Sequence, residues 1–106
     1  MRNRTRLFSK VYCVYIITNF LNTVLYVGFT SCLKHRIWQH KTGFYPDSFT
    51  SRYHVNQLVY YEVYDNPFDG ICREKQLKAG SRKKKIDLII SMNPGWRDLY
   101  DELEYD

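Results

Sequence analysis

Two runs of β-branched and aromatic residues near the start of the chain limit most strongly what it can fold into. The first, VYCVYII over residues 11–17, suits a buried strand, and the second is VLYVG over residues 24–28. Between them lies a polar turn at residues 19–23. So short a connection joins antiparallel strands, because parallel neighbours need a crossover of a dozen or more residues. The sequence therefore predicts a β-hairpin.

The segment after the hairpin predicts a helix and a loop. Ser31 is a candidate N-cap for a helix that runs to about Lys41, and Gly43 is suited to end it. Residues 44–57 are aromatic and polar without a clear period, which indicates a loop.

The rest of the chain predicts one strand and two or three helices. Residues 58–64 (LVYYEVY) form the third strand, and Asn66-Pro67 begins a helix that ends at Gly80. A further helix over 82–92 stops before Asn93-Pro94, and residues 98–103 form a last short helix. The order β-β-α-β-α-α predicts an α+β fold, a small three-stranded antiparallel sheet flanked by helices.

Length and composition exclude several classes of protein. A chain of 106 residues allows one domain, and 44% hydrophobic residues are too many for a disordered chain. No stretch approaches the ~20 apolar residues of a membrane span, and the basic N-terminus lacks a signal-peptide cleavage site. Three cysteines without a CxxC pair argue against a disulfide framework or a zinc site, so a cytoplasmic location is expected.

Charge is unevenly distributed along the chain. Residues 1–97 hold all 16 Lys and Arg against 6 acidic residues, a net charge of +10, whereas residues 98–106 hold 5 acidic residues and no base. We expect a basic arm at 1–10, a folded domain at 11–99 and an acidic tail at 100–106. A basic body suits a polyanion such as nucleic acid, but charge alone fits an ordinary solvated surface equally well.

Four side chains in the first half of the chain could carry chemistry. Tyr15 and Tyr26 lie one on each hairpin strand, where packing is the commoner role of a tyrosine. Arg36 and His40, at i and i+4, share one helix face. A guanidinium suits phosphate oxygens and a neutral imidazole can accept a proton, although such a pair is more often a solvated face.

Glu74 is a lone glutamate among basic neighbours on the next predicted helix. It could be an oxygen ligand for Mg²⁺, or it could form a surface ion pair with Lys78. The basic residues that follow it are either a solvated helix face or a phosphate-binding one. The side chains that we expect to contact nucleic acid are Lys34, Lys41, Arg73, Lys75, Lys78, Arg82 and Lys83.

Together these residues resemble the GIY-YIG nuclease family, in particular its small stand-alone bacterial branch. The two half-motifs are Cys13-Val14-Tyr15 and Tyr26-Val27-Gly28, and Arg36 follows on the next helix. The resemblance covers about residues 11–99. It implies catalytic roles for Tyr15, Tyr26, Arg36, His40, Glu74 and Asn93.

The resemblance also implies an activity, a cofactor and a partner. The activity is endonucleolytic hydrolysis of phosphodiester bonds, structure-selective or weakly sequence-selective, with one Mg²⁺ or Mn²⁺ ion on Glu74. The partner is nucleic acid, DNA rather than RNA, and the protein is expected to be a monomer. Three positions depart from the family pattern. Cys13 stands where the first half-motif has a glycine, and Phe29 stands where some relatives carry a phosphate-contacting lysine. Ala79-Gly80 stands where the bacterial branch usually has an aromatic residue.

Two alternatives remain open at this point. The domain could bind nucleic acid without cleaving it, or it could be a protein-interaction module that uses the acidic tail. That tail could equally cover a basic site when DNA is absent. A catalytic reading is favoured because the family's core positions carry competent residues.

Overall fold

The sheet has three antiparallel strands, as the sequence predicts. A computed structural model describes residues 11–104, so the expected basic arm lies outside the described part of the chain. The strands are β1 (Tyr12–Thr18), β2 (Leu25–Thr30) and β3 (Gln57–Tyr64), in the order β2-β1-β3. This confirms the α+β fold. The hairpin connection is closed by Asn19, whose Oδ1 accepts the backbone N–H groups of Thr23 and Val24.

Helices cover both faces of the sheet, and the central strand β1 is therefore buried on both sides. Cys13, Tyr15 and Ile17 pack with Leu33 and Ile37 of helix α1 (Leu33–Thr42). The alternate residues Val14 and Ile16 face the other way. They pack with residues of α3 (Pro67–Ala79) and α4 (Arg82–Met92). The period-two alternation of a strand thus divides the core into two layers.

For the three long helices the predicted boundaries are confirmed with one exception. Gly43 ends α1 with a φ of 65°, a left-handed conformation that glycine adopts at little cost. Asn66 begins α3 by accepting the backbone N–H of Asp69. The predicted N-cap Ser31 is wrong: Cys32 occupies that position, because β2 extends to Thr30 and the Thr30 hydroxyl accepts the Cys32 N–H.

Two further segments differ from the sequence prediction. Residues 44–57 are not loop throughout, since they contain one helical turn, α2 (Phe49–Arg52), whose N-cap Ser48 accepts the N–H of Ser51. The last helix is shorter than predicted, a 3₁₀ turn at Tyr100–Glu102. Residues 100–104 of the expected tail are not detached, because Tyr100 and Leu103 pack against the layer around Tyr15.

Within residues 11–104, no helix is both long and apolar enough to cross a membrane.

Candidate active site

Tyr15 lies at the centre of the candidate site, with its ring over the neighbouring strand. The residue is 1% exposed and pairs across the hairpin with Gly28. A Cβ atom at position 28 would lie 2.3 Å from both Cζ and Oη of Tyr15. The glycine of the second half-motif is therefore required because the first tyrosine occupies the space beside it.

His40 continues from Tyr15 as the second member of a buried row of hydrogen bonds. Its Nε2 lies 2.9 Å from the Tyr15 hydroxyl, and its Nδ1 lies 2.9 Å from Oγ1 of Thr50. The Thr50 hydroxyl is in turn 3.3 Å from Oγ of Ser48. A pocket of about 250 Å³, lined by His40, Thr50 and His54 among others, lies on this side of the imidazole.

This row links the tautomer of a neutral His40 to the direction of its two hydrogen bonds. If Nε2 accepts the Tyr15 O–H, the imidazole carries its proton on Nδ1 and donates it to Thr50. Thr50 is a site residue that sequence reasoning missed. Ser48 carries a local N-cap signal for α2, but no local signal indicates that Thr50 reaches His40 from ten residues away.

Burial keeps both members of the Tyr15–His40 pair uncharged at neutral pH. Burial raises the pKa of Tyr15 to about 12, and the Arg36 guanidinium opposes that rise. Burial also lowers the pKa of His40 to about 4, and here the positive charge of Arg36 acts in the same direction. The resting pair is therefore a neutral phenol that faces a neutral imidazole.

Arg36 and Tyr26 border this pair. Arg36 lies one helical turn before His40, donates to Oε1 of Gln39 at 2.9 Å, and faces the ring of Tyr45 at 5.7 Å. The Tyr26 ring lies 6.0 Å from the His40 ring, edge to face. The structure thus groups four of the predicted catalytic side chains on β1, β2 and α1.

Glu74, on α3, lies within electrostatic range of the same phenol. Its carboxylate pairs with Lys78 at 3.0 Å, and its negative charge contributes, after burial, to the raised pKa of Tyr15. One turn earlier, Gly70 lies against Phe29 of β2, where a Cβ would come within 2.6 Å of the Phe29 ring. The departure at Phe29 therefore sets how closely α3, and Glu74 with it, approaches β2.

Asn93 lies apart from this group. It is 3% exposed, and its side-chain amide donates to the carbonyl oxygens of Val59 and Arg97 at 3.2 and 2.8 Å. Its Oδ1 accepts the Arg97 N–H at 3.1 Å. These bonds hold the turn after α4 against β3, and the predicted catalytic role of Asn93 stays a prediction.

The C-terminal segment covers two of the lysines expected to bind nucleic acid. Lys34 donates to the Tyr100 carbonyl at 3.2 Å and lies 4.0 Å from the centre of that ring. Lys41, two turns along the same face of α1, pairs with Asp98. Residues 98–102 therefore shield one flank of α1, whereas Arg36 projects from the other.

Most of the other basic side chains expected to bind nucleic acid have partners within the protein. Arg73 forms a two-point ion pair with Glu62, at 2.9 and 3.0 Å. Lys83 pairs with Asp87, and Arg82 donates to the backbone of the hairpin turn. Lys75 is exposed. Their contact with nucleic acid stays a prediction.

The donor set is suited to a metal that the substrate helps to hold. No group of three or more His, Cys, Asp or Glu side chains within residues 11–104 could bind an ion by itself. Mg²⁺ commonly uses one or two carboxylates, with water and substrate phosphates as its other ligands. Glu74, with a side chain that is 19% exposed, can supply the one carboxylate.

The fold and the grouped side chains define a small α+β domain built on a tyrosine-bearing hairpin. A family model described as the GIY-YIG catalytic domain matches residues 11–87, so the chain belongs to the GIY-YIG family. This confirms the resemblance inferred from the motifs. Nucleases of this family act on nucleic acid and generally depend on a divalent metal.

Relatives extend this result to the stand-alone branch of the family. The chain is 35% identical over 65 residues to a UPF0213 protein of Staphylococcus saprophyticus, and this alignment covers 61% of this chain and 78% of the relative. It is 35% identical over 70 residues to a UPF0213 protein of Syntrophus aciditrophicus, which covers 66% and 79%. These names state no activity.

A solved structure supports the fold. The solution NMR structure of a UPF0213 protein from Bacillus halodurans aligns with a TM-score of 0.53 at 23% identity. The alignment covers 83% of this chain and 92% of the other.

Proposed function

We propose that this protein is a metal-dependent endonuclease that hydrolyses phosphodiester bonds in DNA. The observation that carries the proposal is the hydrogen bond of 2.9 Å between the Tyr15 hydroxyl and His40, with Arg36 beside it. A buried phenol with an imidazole acceptor and a neighbouring guanidinium supplies a proton acceptor next to a phosphate-binding group. Glu74 on α3 would supply the carboxylate for one Mg²⁺ or Mn²⁺ ion.

In this mechanism Tyr15 is the base and His40 receives its proton. The Tyr15 hydroxyl gives its proton to Nε2 of His40 and takes one from the attacking water. The water oxygen forms a bond to phosphorus, and the bond from phosphorus to the leaving oxygen breaks. The imidazolium so formed keeps its Nδ1–H on Thr50, and solvent reprotonates the leaving oxygen.

The raised pKa of Tyr15 and the lowered pKa of His40 oppose this transfer in the free protein. Arg36 binds a phosphate oxygen and stabilises the charge that develops in the transition state. Mg²⁺ or Mn²⁺ on Glu74 would supply Lewis-acid stabilisation of the scissile phosphate. Tyr26, packed edge to face on His40, holds the imidazole in position.

The proposal also covers the substrate, the oligomeric state and the location of the protein. We propose DNA rather than RNA as substrate, cutting that depends on DNA structure more than on sequence, and a monomer that acts in the cytoplasm. A domain of this size carries no separate specificity module in its described residues.

Glu74→Gln provides the decisive test, because the chain offers a matched control. Glu74 and Asp87 each pair with a lysine in an i, i+4 arrangement on a helix surface. We expect Glu74→Gln to lower cleavage at least ~100-fold, a typical cost of losing one transition-state contact, while Asp87→Asn cleaves normally. Arg36→Ala should lose activity to a similar extent.

The assay compares duplex, nicked, flapped and forked DNA, with Mg²⁺, with Mn²⁺ and with a chelator. Circular dichroism checks that each variant is folded. Full activity of Glu74→Gln would refute the metal assignment. Binding without cleavage by the unmodified protein in every buffer would instead support the alternative, a non-catalytic nucleic-acid-binding domain.

A further inference from the structure

Five large aromatic side chains lie exposed on the surface beside the candidate site. We call them the aromatic surface. They come from α1, from α2 and from the chain around α2, and each is between 38% and 52% exposed. The five are Trp38, Phe44, Tyr45, Phe49 and Tyr53. Single exposed apolar residues are ordinary on a soluble protein, but a group of rings in contact marks a binding surface.

Contacts between the rings restrict their motion. Phe44 lies between Trp38 and Tyr45, with ring centres at 5.9 and 4.9 Å. Phe49 and Tyr53 form a second group, with ring centres 4.9 Å apart. Because these contacts already restrict the rings, a ligand that stacks on them causes less further loss of side-chain entropy.

Each of the two groups of rings contacts a residue of the candidate site. Tyr45 faces the Arg36 guanidinium at 5.7 Å, and Phe49 stacks on Tyr26 at 6.5 Å. Tyr26 in turn contacts His40. A nucleic acid chain held by Arg36 would therefore meet exposed rings close to the site.

The charge around the rings favours an anionic ligand. Among residues 31–57, the cations beside the rings are Arg36 and Arg52, and the one acidic residue is Asp47. Arg36 and Arg52 lie over the faces of Tyr45 and Tyr53, at 5.7 and 5.9 Å. Aromatic faces alternating with guanidinium groups are the combination that binds single-stranded nucleic acid, since bases stack on the rings and phosphates pair with the cations.

We propose that the aromatic surface is a stacking site for unpaired bases, so that the preferred DNA is single-stranded on at least one side of the scissile phosphate. Paired bases inside a duplex do not present their flat faces to a protein surface, whereas unpaired bases do. A second copy of the chain is a poorer occupant, because it would bring Arg36 and Arg52 against the same positive charges. The cleavage part of this inference rests on the proposed function; the binding part does not.

The test measures binding in a chelating buffer, so that the result does not depend on catalysis. The probes are a fluorescently labelled oligothymidylate and a hairpin duplex of matched length. We expect the single strand to bind more tightly than the duplex. Tyr45→Leu and Tyr53→Leu should each weaken single-strand binding at least about fivefold, because leucine keeps apolar area but offers no ring to stack on.

The chain offers a matched control in Phe68. This residue is a 73% exposed aromatic at the start of α3, outside the aromatic surface, and Phe68→Leu should leave binding unchanged. A second readout uses Trp38 as the single tryptophan in a Trp96→Phe background. Its fluorescence should fall when the oligothymidylate binds and stay constant with the duplex.

The outcomes separate this inference from the proposed function. Loss of single-strand binding in the tyrosine variants but not in Phe68→Leu supports the stacking site, even if the protein cleaves nothing. Tighter binding to the duplex, equal binding by all variants, or no binding to either probe would overturn it. A change of oligomeric state in the tyrosine variants, measured by light scattering, would also overturn it, because the rings would then form a protein interface.

Discussion

Gly28→Ala should destabilise the protein through one identifiable contact. Ordinary contact begins at about 3.4 Å, but an alanine Cβ at position 28 would lie 2.3 Å from Cζ and Oη of Tyr15. Relief requires a shift of about 1 Å in a ring that is 1% exposed. Such a shift also stretches the hydrogen bond of 2.9 Å to His40.

The size of the effect follows from these two losses. Overpacking of a core costs about 1–3 kcal/mol, and an unsatisfied buried donor or acceptor costs a further ~1–3 kcal/mol. Replacing a strand glycine by alanine recovers about 0.5–1 kcal/mol of conformational entropy. We therefore expect Gly28→Ala to lower the free energy of unfolding by about 2–4 kcal/mol.

A double-mutant cycle isolates this contact. Tyr15→Leu removes the Cε2, Cζ and Oη atoms that the new methyl group would meet, and leucine still fills much of the site. In that background Gly28→Ala should cost less than about 1 kcal/mol, a coupling of about 1–3 kcal/mol. Urea unfolding of the four proteins, followed by circular dichroism at neutral pH, gives the required free energies.

An equal cost of Gly28→Ala in both backgrounds would refute this reasoning. It would mean that the glycine is needed for its backbone freedom or for the close approach of a ligand to the strand. Room for the phenol would then not be the reason for the glycine. The result does not depend on nuclease activity, so it tests the site's geometry by itself.

Two further predictions concern His40 and its partner. Well above pH 6.5, His40 is neutral in both the folded and the unfolded chain. As the pH falls, the unfolded chain takes up the proton first, because the pKa of His40 in the folded protein is about 4. The free energy of unfolding should therefore drop by about 3 kcal/mol between pH 6.5 and 4. Urea titrations of His40→Gln should lack this component. The same pH profile in His40→Gln and in the unmodified protein would contradict the prediction. Thr50→Val, which removes the acceptor of Nδ1–H, should slow cleavage about tenfold or more at unchanged KM and shift the ¹⁵N signals of His40 between tautomers, while Thr50→Ser restores both. Normal cleavage and unchanged signals in Thr50→Val would exclude a positioning role.

The strands, the helix order and several helix ends could be predicted from the sequence because their signals are local. β-Branched and aromatic runs indicate the three strands, and Asn66-Pro67 and Gly43 mark helix boundaries at the positions observed. The spacing of the two tyrosine half-motifs and of Arg36 identified the family. In each case the residues that carry the signal are close in sequence to the structure that they specify.

Local signals failed where a neighbouring element competes for the same groups. Ser31 is a good N-cap by residue type, but β2 extends to Thr30 and shifts the start of α1 to Cys32. The turn α2 went unpredicted because four residues are too few to show a helical period.

Only the tertiary structure decides which of these side chains act together. The contact of Thr50 with His40, the placement of Phe29 against Gly70, and the cover that Asp98 gives Lys41 all join residues from different elements. The sequence by itself determined the strands, the long helices and most of the residues able to perform chemistry, since these depend on neighbours along the chain. The partners of those residues depend on packing in space, which the order of residues along one element does not specify.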